Sequence, residues 1–171
     1  KPVVAPDLCA SPGGKTTHLA SLLHPDSLIV SNEAIQSRIA PLRENVIKWG
    51  MGNSVITSND PSDFTALEDI FDLIVVDAPC SGEGLFRKDK ASREHWSADA
   101  CQLCVSRQQR ILENILPALK PSGVLIYSTC TWNKQENEDR VQWLQVSKGL
   151  EPVRLDIKAF NGIEEVTAGK G

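Results

Sequence analysis

The sequence predicts an α/β fold with a doubly wound, mostly parallel sheet. Apolar runs of strand length alternate with segments of helical periodicity, a pattern typical of parallel sheets covered by helices on both faces. The run Asp72–Val76 is continuously apolar after its first residue, as in a strand that is buried on both faces. The chain has 171 residues, which is enough for one domain with a sizeable core.

The first half of the chain supplies three strands and two helices. The predicted strands are about Val3–Leu8, Ser27–Asn32 and Ser54–Thr57, and the predicted helices are about Lys15–Leu23 and Ile35–Trp49. Pro41 falls inside the second helix and should kink it or mark its true start. Gly50 and Gly52 are expected to end that helix. The segment Asn59-Asp60-Pro61 predicts a turn after the third strand.

The second half continues the same alternation. The predicted strands are about Asp72–Val76 and Val124–Ser128, with a further strand starting near Pro152–Leu155, and the predicted helices are about Ala98–Leu116 and Lys134–Val146. A long loop is expected between Ala78 and Ser97, and a turn over Lys120–Gly123. Gly149 should end the last helix.

Composition narrows the class of protein. Hydrophobic residues make up 41% of the chain and charged residues 23%, which indicates a globular domain. The net charge of −4 is not typical of a nucleic-acid-binding protein, which usually carries a basic face. No apolar run approaches the ~20 residues of a membrane span. Five cysteines, an odd number, indicate a reducing compartment, so we expect a cytoplasmic protein.

The stretch Asp7–Thr16 (DLCASPGGKT) predicts a strand, a tight Gly-rich turn and the start of a helix. Gly13 and Gly14 let the backbone approach a ligand, and the helix start favours a carboxylate or phosphate. The spacing matches neither G-x-x-x-x-G-K-[ST] nor G-x-G-x-x-G. Glu33 ends the next strand, about 20 residues later, where a carboxylate can accept from both ribose hydroxyls. A Gly-containing turn with a solvated Glu remains the alternative for these two features.

Carboxylates stand at the ends of four successive predicted strands, at Asp7, Glu33, Asp60 and Asp77. Ligands of open α/β sheets bind at this edge. Asp60 could accept from an adenine amino group, whereas Asp77 lies nearer the reacting centre. A set that recognises ribose and adenine, beside a Gly turn for an amino-acid end, suits S-adenosylmethionine. Considered alone, Asp60 is better explained as a turn residue.

Two cysteines each follow a strand, Cys80 in DAPCSG and Cys130 in STCT. Two thiols at one sheet edge suit covalent catalysis on a pyrimidine, because a thiolate that adds to C6 makes C5 nucleophilic toward a methyl sulfonium. A second group must then remove the C5 proton so that the thiolate leaves. Asp77 could hydrogen-bond N3 and the exocyclic amine of cytosine. We expect both thiols to converge on a pocket rimmed by Glu33 and Asp60.

In combination, the motifs DLCASPGGKT, DAPCSGEG and YSTCT resemble the RNA cytosine-5 methyltransferases of the Nol1/Nop2/Sun (RsmB/RsmF) family, and within it the bacterial 16S rRNA enzymes of the RsmF type. The likeness spans roughly Asp7 to Trp143. It implies a Rossmann-like class I S-adenosylmethionine-dependent methyltransferase fold and methylation of C5 of a cytosine in RNA, above all 16S rRNA, through a covalent cysteine–C6 adduct. A tRNA substrate, or a catalytically weak fragment that binds cofactor or RNA, is the alternative.

The resemblance also implies roles for individual residues. Cys130 would be the nucleophile, Cys80 would help to release the enzyme from the RNA adduct, and Lys15 would support the methionine end of the cofactor or the active site. Contacts with S-adenosylmethionine or its surroundings are implied for Cys9, Ala10, Ser11, Pro12, Gly13, Gly14, Lys15, Glu33, Asp60 and Asp77. RNA is the implied partner, with no metal and no membrane.

Residues 1–171 are expected to form one methyltransferase catalytic domain that is truncated at both ends. Relatives of this type carry an N-terminal RNA-binding segment, a helix before the first strand, a closing pair of strands and, in the RsmF type, a C-terminal RNA-binding region. This sequence shows none of these parts. Their absence would explain the acidic balance of charge.

Three competing interpretations remain open. A DNA cytosine methyltransferase would use Cys80 as the nucleophile, which leaves Cys130 without a function. An amino-methylating enzyme would carry an Asp/Asn-Pro-Pro-aromatic segment where this chain has Asp77-Ala78-Pro79-Cys80. A non-catalytic module that binds RNA or cofactor is the third interpretation, and the retained thiols argue against it.

Two further segments carry chemistry-bearing residues. Cys101 and Cys104 form C-x-x-C within a helical pattern, and without a second pair they are better explained by core packing than by zinc. The loop from Gly84 to Trp96 is locally basic and contains two aromatic residues. It is predicted either to contact RNA beside an extruded cytosine or to act as a solvated lid.

Overall fold

A parallel five-stranded sheet with strand order β3-β2-β1-β4-β5 forms the centre of the molecule in the computed structural model, which describes residues 1–94 and 96–154. The strands are β1 (Val4–Asp7), β2 (Leu28–Asn32), β3 (Ser54–Thr57), β4 (Phe71–Asp77) and β5 (Leu119–Ser128). All four strand pairs are parallel, as predicted. The chain reverses its direction of winding between β1 and β4, which is where ligands bind in such sheets.

The helices lie on both faces of the sheet. They are α1 (Gly14–Leu22), α2 (Ile39–Trp49), α3 (Lys90–Glu94), α4 (Ala98–Ile115) and α5 (Glu138–Lys148), with 3₁₀ turns at Gln36–Arg38, Pro61–Phe64, Glu83–Leu85, Leu116–Ala118 and Lys134–Glu136. Within the described ranges, no helix is both long enough and apolar enough to cross a membrane.

Alternate residues of β4 supply two separate cores. Ile74 and Val76 pack against α4 and α5 in a cluster that includes Leu112. Val75 points to the opposite face and packs with Leu19 of α1. This alternation, with both faces buried, explains why the strand reads as an uninterrupted apolar run.

The ends of the helices follow from local sequence. The Ser97 side chain accepts from the Ala100 amide at 3.1 Å and caps α4. Gly50 and Gly149 adopt left-handed φ values of 74° and 69° and end α2 and α5, as predicted. Because α2 begins at Ile39, Pro41 lies in its first turn, where a missing N–H costs no intrahelical hydrogen bond.

Several predicted boundaries are wrong. The segment Ala78–Ser97 is not a continuous loop, because it contains the turn Glu83–Leu85 and α3. The segment Lys120–Gly123 is not a separate turn but part of β5, where Lys120 pairs with Asp72 of β4 at 2.9 Å and the register shifts. Residues 152–154 do not form the predicted strand, and the rest of that prediction lies outside the described residues.

Candidate active site

The thiols of Cys80 and Cys130 meet at the carboxyl edge of the sheet. Cys80 follows β4 and Cys130 follows β5, and these strands are neighbours with Asp77 in register with Ser128. The two Sγ atoms are 3.2 Å apart, and the Cys130 amide donates to the Cys80 sulfur at 3.4 Å. The predicted convergence of the two loops is therefore observed.

The two sulfurs differ in their surroundings. Cys80 is partly buried, whereas Cys130 is exposed. Burial, and next the hydrogen bond with Cys130, raises the pKa of the Cys80 thiol to about 12. Cys80 therefore keeps its proton at neutral pH and can donate it to the Cys130 sulfur. This arrangement favours the exposed Cys130 as the sulfur that a substrate meets.

Asp77 is held on both carboxylate oxygens at the end of β4. Lys15, the second residue of α1, places its ammonium nitrogen 2.6 Å from Oδ2, and the Ser128 hydroxyl donates to Oδ1 at 2.8 Å. Both Lys15 and Asp77 retain solvent exposure, with 49% and 37% of their side chains accessible. A substrate can therefore reach a carboxylate and an ammonium beside the thiol pair.

Asp7 is fully buried where β1 ends. Its Oδ2 accepts from the Thr16 hydroxyl at 2.7 Å, but its Oδ1 has no hydrogen-bond partner among the described residues. Burial raises the pKa of Asp7 to about 6 and that of the neighbouring Cys9 thiol to about 12. Cys9 is thus a protonated thiol at neutral pH, and it lies where the Gly-rich turn begins.

The Gly-rich turn is packed tightly against α2. Gly13 has φ 109°, and a Cβ there would stand 3.3 Å from the Leu42 side chain, so a larger residue is excluded. Asn45 donates to the Pro12 carbonyl at 2.7 Å. Ala10 is buried and its amide donates to Asn32 at 3.0 Å, which joins the turn to β2.

Glu33 is buried directly after β2, with 3% of its surface exposed. Its Oε1 accepts from the Ile35 amide at 3.0 Å. Its Oε2 lies 3.5 Å from the Arg38 guanidinium and accepts no hydrogen bond within residues 1–94 and 96–154. Arg38 also donates to the Ser11 carbonyl at 2.8 Å, so one side chain connects the Gly-rich turn with the carboxylate. The alternative of a solvated Glu is wrong at this position.

Asp60 is engaged by its own surroundings. It caps the turn Pro61–Phe64 by accepting from the Ser62 amide at 3.0 Å, and the Arg110 guanidinium contacts both carboxylate oxygens at 2.9 and 3.2 Å. The Ser62 amide is the main reason that the pKa of Asp60 lies below its usual value. These contacts favour the turn interpretation, and an adenine contact at Asp60 stays a prediction.

The segment after Cys80 is tied to the Cys130 loop through Glu83. This carboxylate accepts from the Trp96 indole at 3.1 Å and from the Trp132 amide at 3.2 Å. Both tryptophans are exposed, by 42% and 74%. The basic and aromatic segment therefore lies at the thiol site. His95, part of the same prediction, lies outside the described residues.

Several polar residues that support the site were not predicted from the sequence. Ser128 orients Asp77, Arg38 bridges Glu33 and the turn, and Glu136 is buried beneath the Cys80 loop. Ser128 had a usable signal, since it is the last residue of a strand predicted to be adjacent to β4. Arg38 and Glu136 had none, because helical charged residues are usually solvated.

The C-x-x-C pair lies in α4 rather than in either thiol loop. Cys101 is buried in α4, and Cys104 is partly buried one turn later. Burial raises the pKa of the Cys104 thiol. Among the residues that the structure describes, no group of three or more His, Cys, Asp or Glu side chains could hold a metal ion.

Comparison with known proteins places this geometry in a family. The family model described as 16S rRNA methyltransferase RsmB/F matches residues 4–171. The chain is 42% identical over 168 residues to ribosomal RNA small subunit methyltransferase F of Pectobacterium atrosepticum, covering 96% of this chain and 34% of that protein. The protein of the same name from Shewanella amazonensis is 43% identical over 164 residues, which cover 95% of this chain and 34% of that protein. The chain thus spans about a third of the length of these relatives.

Solved structures agree on the fold. The crystal structure of PH0851 superimposes with a TM-score of 0.80 at 30% identity, over 90% of this chain and 34% of that one. NSun6 from Pyrococcus horikoshii, solved with SFG, gives a TM-score of 0.79 at 28% identity, over 91% of this chain and 39% of that one. A Thermotoga maritima SAM-dependent O-methyltransferase shares the fold at 16% identity, with a TM-score of 0.60. The chain therefore has the Rossmann-like class I methyltransferase fold and belongs to the RsmB/F family of 16S rRNA methyltransferases.

Proposed function

We propose that this chain is the catalytic core of an S-adenosylmethionine-dependent enzyme that methylates C5 of a cytosine in 16S rRNA. The observation that carries the proposal is the 3.2 Å separation of the Cys80 and Cys130 sulfurs beside the Asp77 carboxylate. A single thiol would suffice for simple nucleophilic attack. Two thiols from separate loops fit a reaction in which one sulfur bonds to the ring and a second group assists its departure.

The residues at the Gly-rich turn fit the cofactor. Asp7 Oδ1 and Glu33 Oε2 are buried oxygens that accept no hydrogen bond from the described part of the chain, although Arg38 lies 3.5 Å from Glu33 Oε2, and a ligand that supplies donors would offset the cost of their burial. The cofactor offers an ammonium and two ribose hydroxyls. Glu33, at the end of β2, is placed to accept from the hydroxyls. When bound, S-adenosylmethionine supplies an electrophilic methyl group on its sulfonium.

The protein groups that act on the cytosine are Cys130, Asp77 and Lys15. The Cys130 thiolate forms a bond to C6, and the ring electrons that this addition displaces make C5 nucleophilic. Asp77 accepts from the exocyclic amine and so orients the ring. Lys15 supplies a proton donor 2.6 Å from that carboxylate, where negative charge develops on the ring.

Release of the product reverses the sulfur addition. After C5 carries the methyl group, water at the exposed site takes the C5 proton, the electron pair of that C–H bond restores the C5–C6 double bond, and the Cys130–C6 bond breaks with its electron pair left on the Cys130 sulfur. Cys80 lies next to the departing sulfur and is assigned to this step. Its protonated thiol can donate to the leaving Cys130 sulfur, which lowers the cost of forming a free thiolate.

The substrate is proposed from the names of the relatives of this chain and from the side chains beside the thiols. The relatives with about 40% identity carry names that specify ribosomal RNA of the small subunit. The exposed Trp96 and Trp132 beside the thiols support a single-stranded or extruded base, because unstacked RNA bases are commonly held on aromatic side chains.

Trapping on full-length protein tests the proposal. With RNA and cofactor present, Cys80→Ser should accumulate a covalent RNA–protein adduct, whereas Cys130→Ala should form none. Cys104→Ser is the matched control and should turn over like the parent protein. An adduct on Cys130→Ala but not on Cys80→Ser would make Cys80 the nucleophile, and no adduct with any cytosine-containing RNA would reject the proposal. Bisulfite mapping of rRNA from cells with and without the gene then locates the target.

A further inference from the structure

Glu136 is a carboxylate with no solvent exposure. It ends the 3₁₀ turn Lys134–Glu136, and its side chain points beneath the loop that carries Cys80. Its Oε2 accepts from the Ser81 amide at 3.0 Å and from the Gln108 side chain at 2.7 Å. Glu136 takes part in none of the ion pairs in the described part of the chain. Hydrogen bonds from these N–H donors therefore replace the ones that water would make to the carboxylate.

Such a buried charge is costly and calls for an explanation. Nothing in the proposed chemistry uses Glu136 directly, since it does not touch either sulfur. Its partner Ser81, however, is the residue after Cys80. Gln108 donates to the Pro79 carbonyl at 3.1 Å as well, so the residues on both sides of Cys80 are connected to the same buried pair.

The Cys130 loop is connected to the same structure. The hydroxyls of Ser81 and Thr131 share a hydrogen bond of 2.8 Å, and Thr131 is the residue after Cys130. The Tyr127 hydroxyl donates to the backbone carbonyl of Glu136 at 2.8 Å, which joins Glu136 to the end of β5. The residues that follow the two thiols in the chain therefore share one hydrogen-bonded support, and Glu136 is its buried acceptor.

We propose that Glu136 is a positioning residue that holds Cys80 against the Cys130 sulfur for release of the RNA adduct. The inference rests on the proposed function and extends it from the sulfurs to their support. Cys130 is exposed and lies two residues beyond β5, and the Glu136 side chain bonds to Ser81 and Gln108 rather than to the Cys130 loop, so we expect Cys130 to attack without it. Cys80 lies three residues beyond β4, and its place depends on the neighbouring Ser81 amide being held by Glu136.

The test separates adduct formation from adduct release in full-length protein. In Glu136→Ala, adduct formation should stay within about threefold of the parent, while release should slow about tenfold or more, because the Ser81 amide loses its acceptor. Glu136→Gln can keep one oxygen where Oε2 receives both short bonds, so release should recover to within about threefold. Glu138→Ala, an exposed carboxylate on α5, is the matched control and should leave both steps unchanged.

A second readout needs no RNA. Dibromobimane bridges neighbouring thiols, and peptide mass spectrometry identifies the Cys80–Cys130 product among the five cysteines. The bridged yield should fall about threefold or more in Glu136→Ala and stay at the parent level in Glu136→Gln. Gln108→Leu removes one donor to Glu136 and keeps the side-chain volume similar. It should lower the bridged yield by a smaller factor, and it replaces Glu136→Ala as the test if that variant does not fold.

Two results would overturn the inference: equal slowing of adduct formation and release in Glu136→Ala, or an unchanged yield of bridged thiols. Equal slowing would mean that Glu136 supports the fold in general rather than Cys80. If neither the parent nor Cys80→Ser forms an adduct with any cytosine-containing RNA, the proposed function has failed instead. The bridging yield then decides the structural part of the inference alone.

Discussion

The amide of Gly84 donates a 2.8 Å hydrogen bond to the carbonyl oxygen of Cys130, and a Cβ on Gly84 would stand 2.5 Å from that same oxygen. The two loops that carry the thiols are thus in backbone-to-backbone contact at a point where only glycine fits. The separation of the two sulfurs depends on this contact as well as on the side chains beneath it.

Gly84→Ala should therefore push the Cys130 loop away from the Cys80 loop. We expect a loss of about 1–3 kcal/mol in the free energy of unfolding and about tenfold slower formation of the RNA adduct. Urea denaturation and the trapping assay measure these two quantities. Gly52→Ala is the control, because no atom lies within 4 Å of its added Cβ, and it should change neither. Parent-like trapping by Gly84→Ala would show that the loop contact is not needed.

Asp7 makes stability depend on pH. Burial raises the pKa of Asp7 from 3.8 to about 6 in the folded protein. The protonated form therefore stabilises the folded protein fully below about pH 4, and this stabilisation is lost as the pH rises through 6. Asp7→Asn should abolish this loss and raise the free energy of unfolding at pH 7 by about 1–3 kcal/mol, with little change at pH 4. Denaturant titrations at both pH values measure the difference.

The same substitution should weaken cofactor binding, because it neutralises a buried carboxylate that could accept from the ammonium of the cofactor. Asp26→Asn, an exposed carboxylate with 79% of its side chain accessible, is the control for charge. An Asp7→Asn protein that is equally stable at pH 7 would mean that burial does not hold the pKa of this group high.

Glu33→Gln tests the ribose contact. Its buried Oε2 has no hydrogen-bond partner in the part of the chain that the structure describes, and replacing the charged acceptor should weaken S-adenosylmethionine binding about 10- to 100-fold. Isothermal calorimetry on the folded protein measures the affinity. Glu44→Gln, which removes an exposed carboxylate paired with Lys48 on α2, should bind like the parent. An affinity within about threefold of the parent for Glu33→Gln would argue against a ribose contact.

The basic segment after the DAPC motif should contribute to RNA affinity through phosphate contacts. The double change Arg87→Ala and Lys88→Ala is expected to weaken RNA binding and lower the slope of log affinity against log salt by about 1–2. Filter binding across a salt series measures the slope. The control is the double change Arg43→Ala and Lys48→Ala, which removes the same charge from α2 instead of from the segment after the DAPC motif. If both double variants lower the slope equally, the segment has no special role and the lid interpretation is favoured.

The fold was predictable because its signals are local. Strand β3 is observed with its predicted bounds, and Gly50 ends α2 as glycine commonly does. The start of α2 was not predictable, because Ile35 fits the helical period but donates its amide to the buried Glu33. The length of β5 was also missed, since Pro121, Ser122 and Gly123 suggest a turn and only pairing with β4 keeps them in the strand.

The thiol pair was predictable from topology alone, since parallel neighbouring strands end at one edge. The polar residues that hold the two thiol loops and the Gly-rich turn in place were not predictable. Glu136 and Arg38 are charged residues in 3₁₀ turns, and local sequence gives no sign that Glu136 is buried beneath the Cys80 loop or that Arg38 bonds to the Ser11 carbonyl. Asp60 shows the reverse case, because its position at a strand end suggested a ligand while Arg110, 50 positions away, occupies its oxygens.

Lys15 follows the Gly-rich turn in the sequence, and its ammonium contacts Asp77 at the end of β4 at 2.6 Å. A substitution at this residue perturbs two neighbourhoods together, so steady-state constants for cofactor capture and for turnover should shift in concert. Apportioning the effect then takes a double-mutant cycle with Asp77, because single replacements at Lys15 confound both contributions.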